Sequence, residues 1–311
     1  MPMKPICPRH IRHAPVFLSL ILLIMVISGC RSEAPPPQQT VQSPAPAKPP
    51  RPWLVLCANP ADALELRKIG SMQKDTVWQG RSISGGWIVE PIIVATTGTG
   101  IANAVATAQH LIDHYDPVAI IVTGLCTPVN PVHQPGDLVI PNRWVNFDFG
   151  RWGAEGLLPD SIPIGRTDSV GFERHFDLPV DTALARMLRR AAETVAFRMR
   201  TIDRRMPELH LGGVGLSGNA VVTSKARREQ LRKQLGAEIS DTESAALVQT
   251  ARSAGLPIIV LRACAPPVDQ SDDPVIQKML PGLVRDCGRN TALIVSTMLE
   301  NVPEGFLRGA K

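Results

Sequence analysis

Short apolar runs alternate along this chain with segments of helical spacing, and this alternation constrains the fold more than any other feature. The runs suit buried strands, because they are apolar on both faces. Strands separated by helices favour a mainly parallel sheet covered on both faces. The sequence therefore predicts a single three-layer α/β domain over residues 53–311. The runs are WLVLCA (53–58), WIVEPIIVAT (87–96), AIIVTG (119–124), DLVIP (137–141), VGLSG (214–218) and PIIVLRA (257–263).

Helical spacing fills several of the intervals between these runs. One helix is expected over 101–115, after a glycine turn. A second is expected over 181–196, where Asp181 suits an N-cap and the apolar residues share one face. The remaining predicted helices cover 224–235, 243–254 and 288–299.

The first residues are typical of an export signal. The apolar run VFLSLILLIMVIS (16–28) follows basic residues and is shorter than the roughly 20 residues that a membrane-spanning helix needs. Its end, ISGC (27–30), resembles the lipobox of bacterial lipoproteins. We expect residues 1–29 to be removed and Cys30 to carry lipid; the alternatives are an uncleaved anchor or a cysteine that occurs there by chance. Each outcome takes the domain out of the cytoplasm.

Residues 30–52 predict a spacer between this lipid anchor and the domain. The segment is rich in proline and almost free of large apolar side chains, so it stays extended and solvated. Arg31, rather than Asp, follows the predicted lipid-bearing cysteine, which by resemblance to bacterial sorting signals favours the outer membrane. The predicted location is the cell envelope, facing the periplasm.

Charge argues against a nucleic-acid partner. Loss of Lys4, Arg9 and Arg12 with the leader changes the formal net charge from +5 to +2, and aromatic residues make up 4% of the chain. No dense basic tract interleaved with aromatics occurs.

The cysteines leave the redox state of the domain open. Cys57, Cys126 and Cys264 lie in or at the end of apolar runs, and Cys287 follows later. Buried thiols are the favoured interpretation, although an oxidising compartment permits disulfides.

Two motifs resemble cofactor-binding motifs, but neither is sufficient to predict a cofactor. HLIDH (110–114) spaces two histidines like metal ligands, yet an exposed helix face is the favoured interpretation, because no matched third ligand is present. TTGTGIANA (96–104) departs from the dinucleotide fingerprint at Asn103. The sequence thus predicts neither a metal nor an organic cofactor.

The segment GAEISDTESAALVQTA (236–251) places two acids where a strand hands over to a helix. Asp241 and Glu243 there suit either a cleft that accepts hydroxyl hydrogens or simple helix capping. Spacing alone leaves both interpretations open.

The order of motifs carries a family resemblance. The series TTGTGIANA, DPVAIIVTGLC, PGDLVIP, GLSGNAVV, DTESAA and LPIIVLRA, from 53 to about 273, resembles the nucleoside phosphorylase superfamily. It is most similar to the hydrolytic branch, the methylthioadenosine/S-adenosylhomocysteine nucleosidases. The resemblance implies a purine nucleoside as ligand and a homo-oligomer.

The resemblance also assigns substrate-binding residues. Glu243 corresponds to the acid that binds both ribose hydroxyls, Thr242 to a residue beneath the sugar, and Asp241 to the neighbouring acid. Val221 takes the place of a phenylalanine that stacks on the base. The glycine turn adds Thr97 and Gly98.

On the nucleophile side, the resemblance implies hydrolysis. Asp62 corresponds to the carboxylate that orients the attacking water, where phosphorylases have a phosphate-binding arginine. Val122 and Leu125 occupy other phosphate-binding positions, and neither can bind a dianion. Water is therefore the expected nucleophile.

The acid that protonates the leaving base is replaced. In RACAPPVDQSDD (262–273), Pro266 occupies its position, and proline has no proton to donate. Asp269 matches a second acid of the motif, and it or Asp272 is the candidate replacement. The chain is then either a nucleosidase with rearranged machinery or a nucleoside-binding lipoprotein without catalysis; a structural lipoprotein with a filled pocket is a third class.

Overall fold

The computed structural model describes residues 50–58, 60–154, 156–166, 168–198, 203–267, 269, 273–303 and 306. The predicted leader 1–29, Cys30 and most of the 30–52 spacer lie outside the described residues, as does Asp272. The boundaries of these segments therefore stay predictions. Among the described residues, no helix combines the length and apolar character needed to cross a membrane.

A twelve-stranded sheet forms the centre of the domain. Its strands are β1 (Trp53–Cys57), β2 (Ser71–Trp78), β3 (Arg81–Trp87), β4 (Pro91–Thr96), β5 (Ala119–Pro128), β6 (Leu138–Ile140), β7 (Arg143–Asn146), β12 (Leu178–Pro179), β13 (Leu209–Leu211), β14 (Val214–Ser217), β15 (Ala237–Asp241) and β16 (Ile258–Cys264). Their order is β12-β7-β14-β15-β5-β1-β4-β3-β2; in addition, β16 pairs with β5 and β6, and β13 pairs with β6. Two small hairpins complete the strands: β8 (Gly150–Gly153) with β9 (Gly156–Pro159), and β10 (Ile162–Gly165) with β11 (Phe172–His175).

The core of the sheet is parallel. β1 lies between β4 and β5, and β16 pairs with the other edge of β5, all in parallel register. Every residue of β1 and β16 is buried, as their continuous apolar sequences predict. These strands therefore hold their carboxyl ends together inside the protein.

Helices cover this sheet: α1 (Pro60–Ile69), α2 (Ile101–Tyr115), α3 (Thr182–Thr194), α4 (Lys225–Leu235), α5 (Ser244–Ser253) and α6 (Pro274–Glu300). α1 and α3 pack against α6, whereas α2 packs against α5. The predicted caps form, since Asp181 accepts a hydrogen bond from the amide of Leu184 at 2.8 Å. The α/β fold with a mainly parallel central sheet is confirmed.

Two predicted elements have wrong bounds. The run 87–96 is divided between β3 and β4 by a turn in which the Ile88 amide donates to the Glu90 carbonyl. The last helix begins at Pro274 rather than near 288, because Asp273 caps it and proline suits the first helical position. Its glycines and Pro281 are accommodated within the helix.

Candidate active site

A cavity of about 210 Å³ lies where β1, β5, β15 and β16 end. This is the position at which open α/β sheets bind ligands. Of the positions that the resemblance places at the site, the structure brings seven together in the cavity lining: Asp62, Leu125, Val221, Asp241, Thr242, Glu243 and Pro266.

Glu243 is a buried acid at the wall of this cavity. It lies at the N-cap position of α5 and is 3% exposed. Its Oε1 accepts hydrogen bonds from the Gly100 amide, at 3.0 Å, and from the Thr242 hydroxyl. Donors from two loops thus fix one carboxylate at the cavity wall.

Arg262 lies beneath this carboxylate and is fully buried. Its Nε is 2.8 Å from Asp241 Oδ2, and its Nη2 is 3.6 Å from Glu243 Oε2. Burial would lower the pKa of Arg262, but Asp241 and Glu243 outweigh it and raise that pKa above its ordinary value. The guanidinium therefore stays charged and positions both acids.

The two interpretations of Asp241 and Glu243 apply to different residues. Asp241 Oδ1 accepts hydrogen bonds from the amides of Glu243 and Ser244, at 3.2 and 3.0 Å, while its other oxygen pairs with Arg262. Glu243 makes no such cap. Asp241 thus supports the helix start, and Glu243 is the acid held by loop donors at the cavity.

Asp62 faces the same region from the first turn of α1 and is 3% exposed. A Cβ added at Gly124 would lie 3.0 Å from Asp62 Oδ2 and 2.6 Å from Arg262 Nη1. Gly124 also has a φ of +140°. The glycine of VTGLC thus allows the Asp62 carboxylate and the Arg262 guanidinium to approach the same point.

Two side chains of VTGLC (122–126) are apolar. Leu125 lines the cavity and Val122 is buried in the core, so these two side chains offer no donor to a phosphate. Val221, also in the lining, is 54% exposed and supplies an aliphatic surface. This lining favours a flat apolar group over a dianion.

The expected replacement acid is elsewhere. Both carboxylate oxygens of Asp269 bind Nη2 of Arg228, at 3.0 and 2.9 Å, and Asp269 is absent from the described cavity lining. Arg228 is itself 6% exposed. The ion pair holds Asp269 against α4, which corrects the expectation that it faces the purine; Pro266 lines the cavity instead.

The glycine turn contributes differently from the prediction. The Thr97 hydroxyl donates to the Cys57 carbonyl at 3.2 Å and is buried in the sheet. Gly98 adopts a φ of +79° and turns the chain, and Thr99 lines the cavity. Thr97 and Gly98 therefore shape the turn, and Thr99 is the residue that sequence reasoning missed.

Sequence reasoning also missed Cys126, Thr127 and Ser240 in the lining. Cys126 follows Gly124 at the end of a buried strand, which is the signal that marks its place. The histidine motif is not part of the site, because His110 stacks on Trp78 with ring centroids 4.1 Å apart. In the part of the chain that the structure describes, no three His, Cys, Asp or Glu side chains are placed to hold a metal ion.

A mainly parallel sheet with buried acids around a cavity at its strand ends defines a ligand-binding α/β protein. The family model described as the Phosphorylase superfamily matches residues 53–300, and the chain belongs to this superfamily.

Individual relatives are similar over most of the domain. The 5'-methylthioadenosine/S-adenosylhomocysteine nucleosidase of Mycobacterium bovis is 28% identical over 67% of this chain and 83% of its own length. Among solved structures, futalosine hydrolase of Helicobacter pylori matches with a TM-score of 0.64 and 17% identity, over 81% of this chain and 98% of its own. The nucleosidase from Neisseria meningitidis in complex with methylthio-immucillin-A has a TM-score of 0.64 and 20% identity, over 81% and 100%. The predicted resemblance is confirmed.

Proposed function

We propose that this protein binds a purine nucleoside in the cavity and hydrolyses its N-glycosidic bond slowly, without a side-chain acid. One observation carries the proposal: Asp62, Glu243 and Pro266, the three positions to which the family resemblance gives roles in hydrolysis, line one cavity. The curated relatives are nucleosidases by name, which supports the same substrate class.

Binding depends first on the ribose. A carboxylate that already accepts the Gly100 amide and the Thr242 hydroxyl retains lone pairs for vicinal hydroxyl groups. The cavity volume of about 210 Å³ lies below the usual range for drug-sized ligands, which favours a single nucleoside over a dinucleotide. The base then lies against Val221.

Asp62 supplies the nucleophile side of the reaction. A buried carboxylate can accept a proton from water as it attacks the sugar carbon. Phosphate is disfavoured, because Asp62 repels a dianion and Leu125 offers it no donor. Hydrolysis is therefore the reaction that this wall supports.

Among the described residues of the loop that follows β16, the cavity lining includes Ala265 and Pro266 and no acid that would serve the departing base. A well-placed general acid typically contributes about 10² to 10⁴ in rate. Pro266 has neither a side-chain proton nor an amide hydrogen. We expect turnover to be lower by a factor of this size than in a nucleosidase that has the general acid, while nucleoside binding is retained.

A second candidate is a nucleoside-binding protein with no hydrolytic activity. The bidentate pair of Arg228 with Asp269 favours it, since that pair keeps the nearest described acid of the loop away from the cavity.

The test incubates purified full-length protein with adenosine, inosine, methylthioadenosine and S-adenosylhomocysteine. Free base is followed by chromatography, and binding by calorimetry. Binding with slow base release supports the main proposal, and binding without release supports the second candidate. Absence of binding to all of them would refute both.

We also propose the envelope location and lipid anchor. Support comes from the basic and apolar leader, the ISGC motif and the proline-rich spacer. Labelling with a fatty-acid analogue should mark the protein on Cys30, and Cys30→Ala should abolish the label and release the protein from membranes. Equal labelling of the variant would contradict the assignment.

We further propose that the protein forms a homo-oligomer. The β8–β9 and β10–β11 hairpins expose Trp152 by 82% and Phe172 by 74%, and exposed aromatic surface of this kind favours association. Sedimentation of the full-length protein should show a multiple of the monomer mass, with dissociation in Trp152→Ser. A monomeric wild type would contradict it.

A further inference from the structure

Two cysteines meet at the wall of the cavity. Cys126 on β5 and Cys264 on β16 are partners in parallel register, and their sulfur atoms are 3.9 Å apart. Adjacent strands lie roughly 4.7–4.9 Å apart, within the roughly 4.4–6.8 Å Cα separation of disulfides. No disulfide joins any cysteine of the described residues.

Access to this pair is one-sided. Cys126 lines the cavity, whereas Cys264 is fully buried behind it. Ala265 and Pro266, which directly follow Cys264, line the cavity as well, and the Ala265 amide donates to the Cys126 carbonyl at 2.8 Å. A small reagent that enters the cavity therefore reaches Cys126 first.

We propose that Cys126 and Cys264 are an oxidisable dithiol of the cavity wall, which a small peroxide converts to a disulfide and which a bound nucleoside shields. The shielding rests on the proposed function; the formation of the disulfide does not.

The chemistry balances with hydrogen peroxide as the oxidant. The Cys126 sulfur, once its proton is lost, attacks one peroxide oxygen and breaks the O–O bond, giving a sulfenic acid and water. The Cys264 sulfur then attacks the Cys126 sulfur, forms the S–S bond and releases the hydroxyl group, which leaves as water with the Cys264 proton. Two thiols are oxidised, and one peroxide is reduced to two waters.

The order of these steps follows from the environment. The hydrogen bond with Cys126 and burial raise the pKa of Cys264 well above its ordinary value. Thiolates are the nucleophilic form, so Cys264 is slow to react with external reagents. It is the resolving partner because its sulfur lies against that of Cys126. Oxidation should accordingly be gradual.

The experiment treats full-length protein with hydrogen peroxide and follows intact mass and non-reduced peptide maps. We expect the loss of two hydrogen atoms and one linked peptide pair containing Cys126 and Cys264. Cys264→Ser should stop at an oxidised Cys126, whereas Cys57→Ser and Cys287→Ser should still form the bridge. A bridge through Cys57 or Cys287, or oxidation of Cys126 without any bridge in the wild type, would overturn the proposal.

Adenosine separates this inference from the proposed function. At adenosine ten times its dissociation constant, oxidation should slow about tenfold, because only the empty cavity admits peroxide. If calorimetry shows binding but the rate is unchanged, the cavity is not the access route and the shielding is wrong. If adenosine neither binds nor protects while the bridge forms, the dithiol stands and the proposed function fails.

Discussion

Replacement of Glu243 by glutamine tests how the cavity holds a sugar. The variant keeps the size of the side chain and removes its charge. Arg262 retains Asp241 at 2.8 Å, so the fold should survive. The Gly100 amide can still donate to the amide oxygen, but the new NH₂ group then faces Arg262 Nη2, donor against donor, where Oε2 now lies at 3.6 Å.

The magnitude follows from the hydrogen bonds that a diol would make. Hydrogen bonds to a charged group contribute about 1.5–3 kcal/mol, and about 1.4 kcal/mol corresponds to tenfold in affinity. We therefore expect Glu243→Gln to weaken adenosine binding by about 10- to 100-fold, measured by calorimetry on the full-length protein.

Glu65→Gln is the matched control. Glu65 is also largely buried and paired, with Lys68 at 2.7 Å and Arg289 at 3.5 Å, but it lies outside the described cavity lining. Its substitution should leave adenosine affinity unchanged. Unchanged affinity in Glu243→Gln, or an equal loss in both variants, would refute the assignment of ribose binding.

Three further predictions concern stability. Arg262→Met should cost about 3–5 kcal/mol in urea unfolding, because Asp241 would be left buried without its cation; a loss below about 1 kcal/mol would contradict this. Gly124→Ala should lower the free energy of unfolding by about 1–3 kcal/mol, because the added Cβ would lie 2.6 Å from the Arg262 guanidinium. Gly80→Ala is the control and should cost less, because its Cβ would meet no atom within 4 Å. Burial raises the pKa of the Cys57 thiol from 9.0 to about 12. The unfolded chain ionises first, so this contribution to the unfolding free energy is full below pH 9.0 and is lost as pH rises towards about 12, by up to roughly 4 kcal/mol. Cys57→Ala should flatten that slope, and an equally steep slope would refute it.

Elements with strong local signals were predictable from the sequence. Residues 101–115 form a helix with the predicted bounds because a glycine turn precedes it and Asp116, at a φ of +47°, ends it. β1 was equally clear, since its residues are apolar on both faces. The edge strand β2 was not predicted, because its side chains are mostly exposed and carry no apolar pattern.

Residues of the site were predictable where a single position of this sequence matches a single position of the family motif. Glu243 and Asp62 were assigned to the cavity and lie there. Asp269 was also assigned to the cavity but pairs with Arg228 instead, because Arg228 is distant in sequence and approaches Asp269 only through the fold. The contact of Cys126 with Cys264 was hidden for the same reason, since strand register brings them together.

If the cavity lacks only the acid that protonates the leaving base, an acid restored by Pro266→Asp should speed base release. Pro266→Asn is the matched control, with similar size but no acidic proton. Full-length wild type and both variants are compared with adenosine as substrate, with binding checked by calorimetry. We expect slow base release by the wild type and by Pro266→Asn, and release faster by about 10² to 10⁴ by Pro266→Asp. Equal rates in all three proteins, or a wild type as fast as Pro266→Asp, would contradict this expectation.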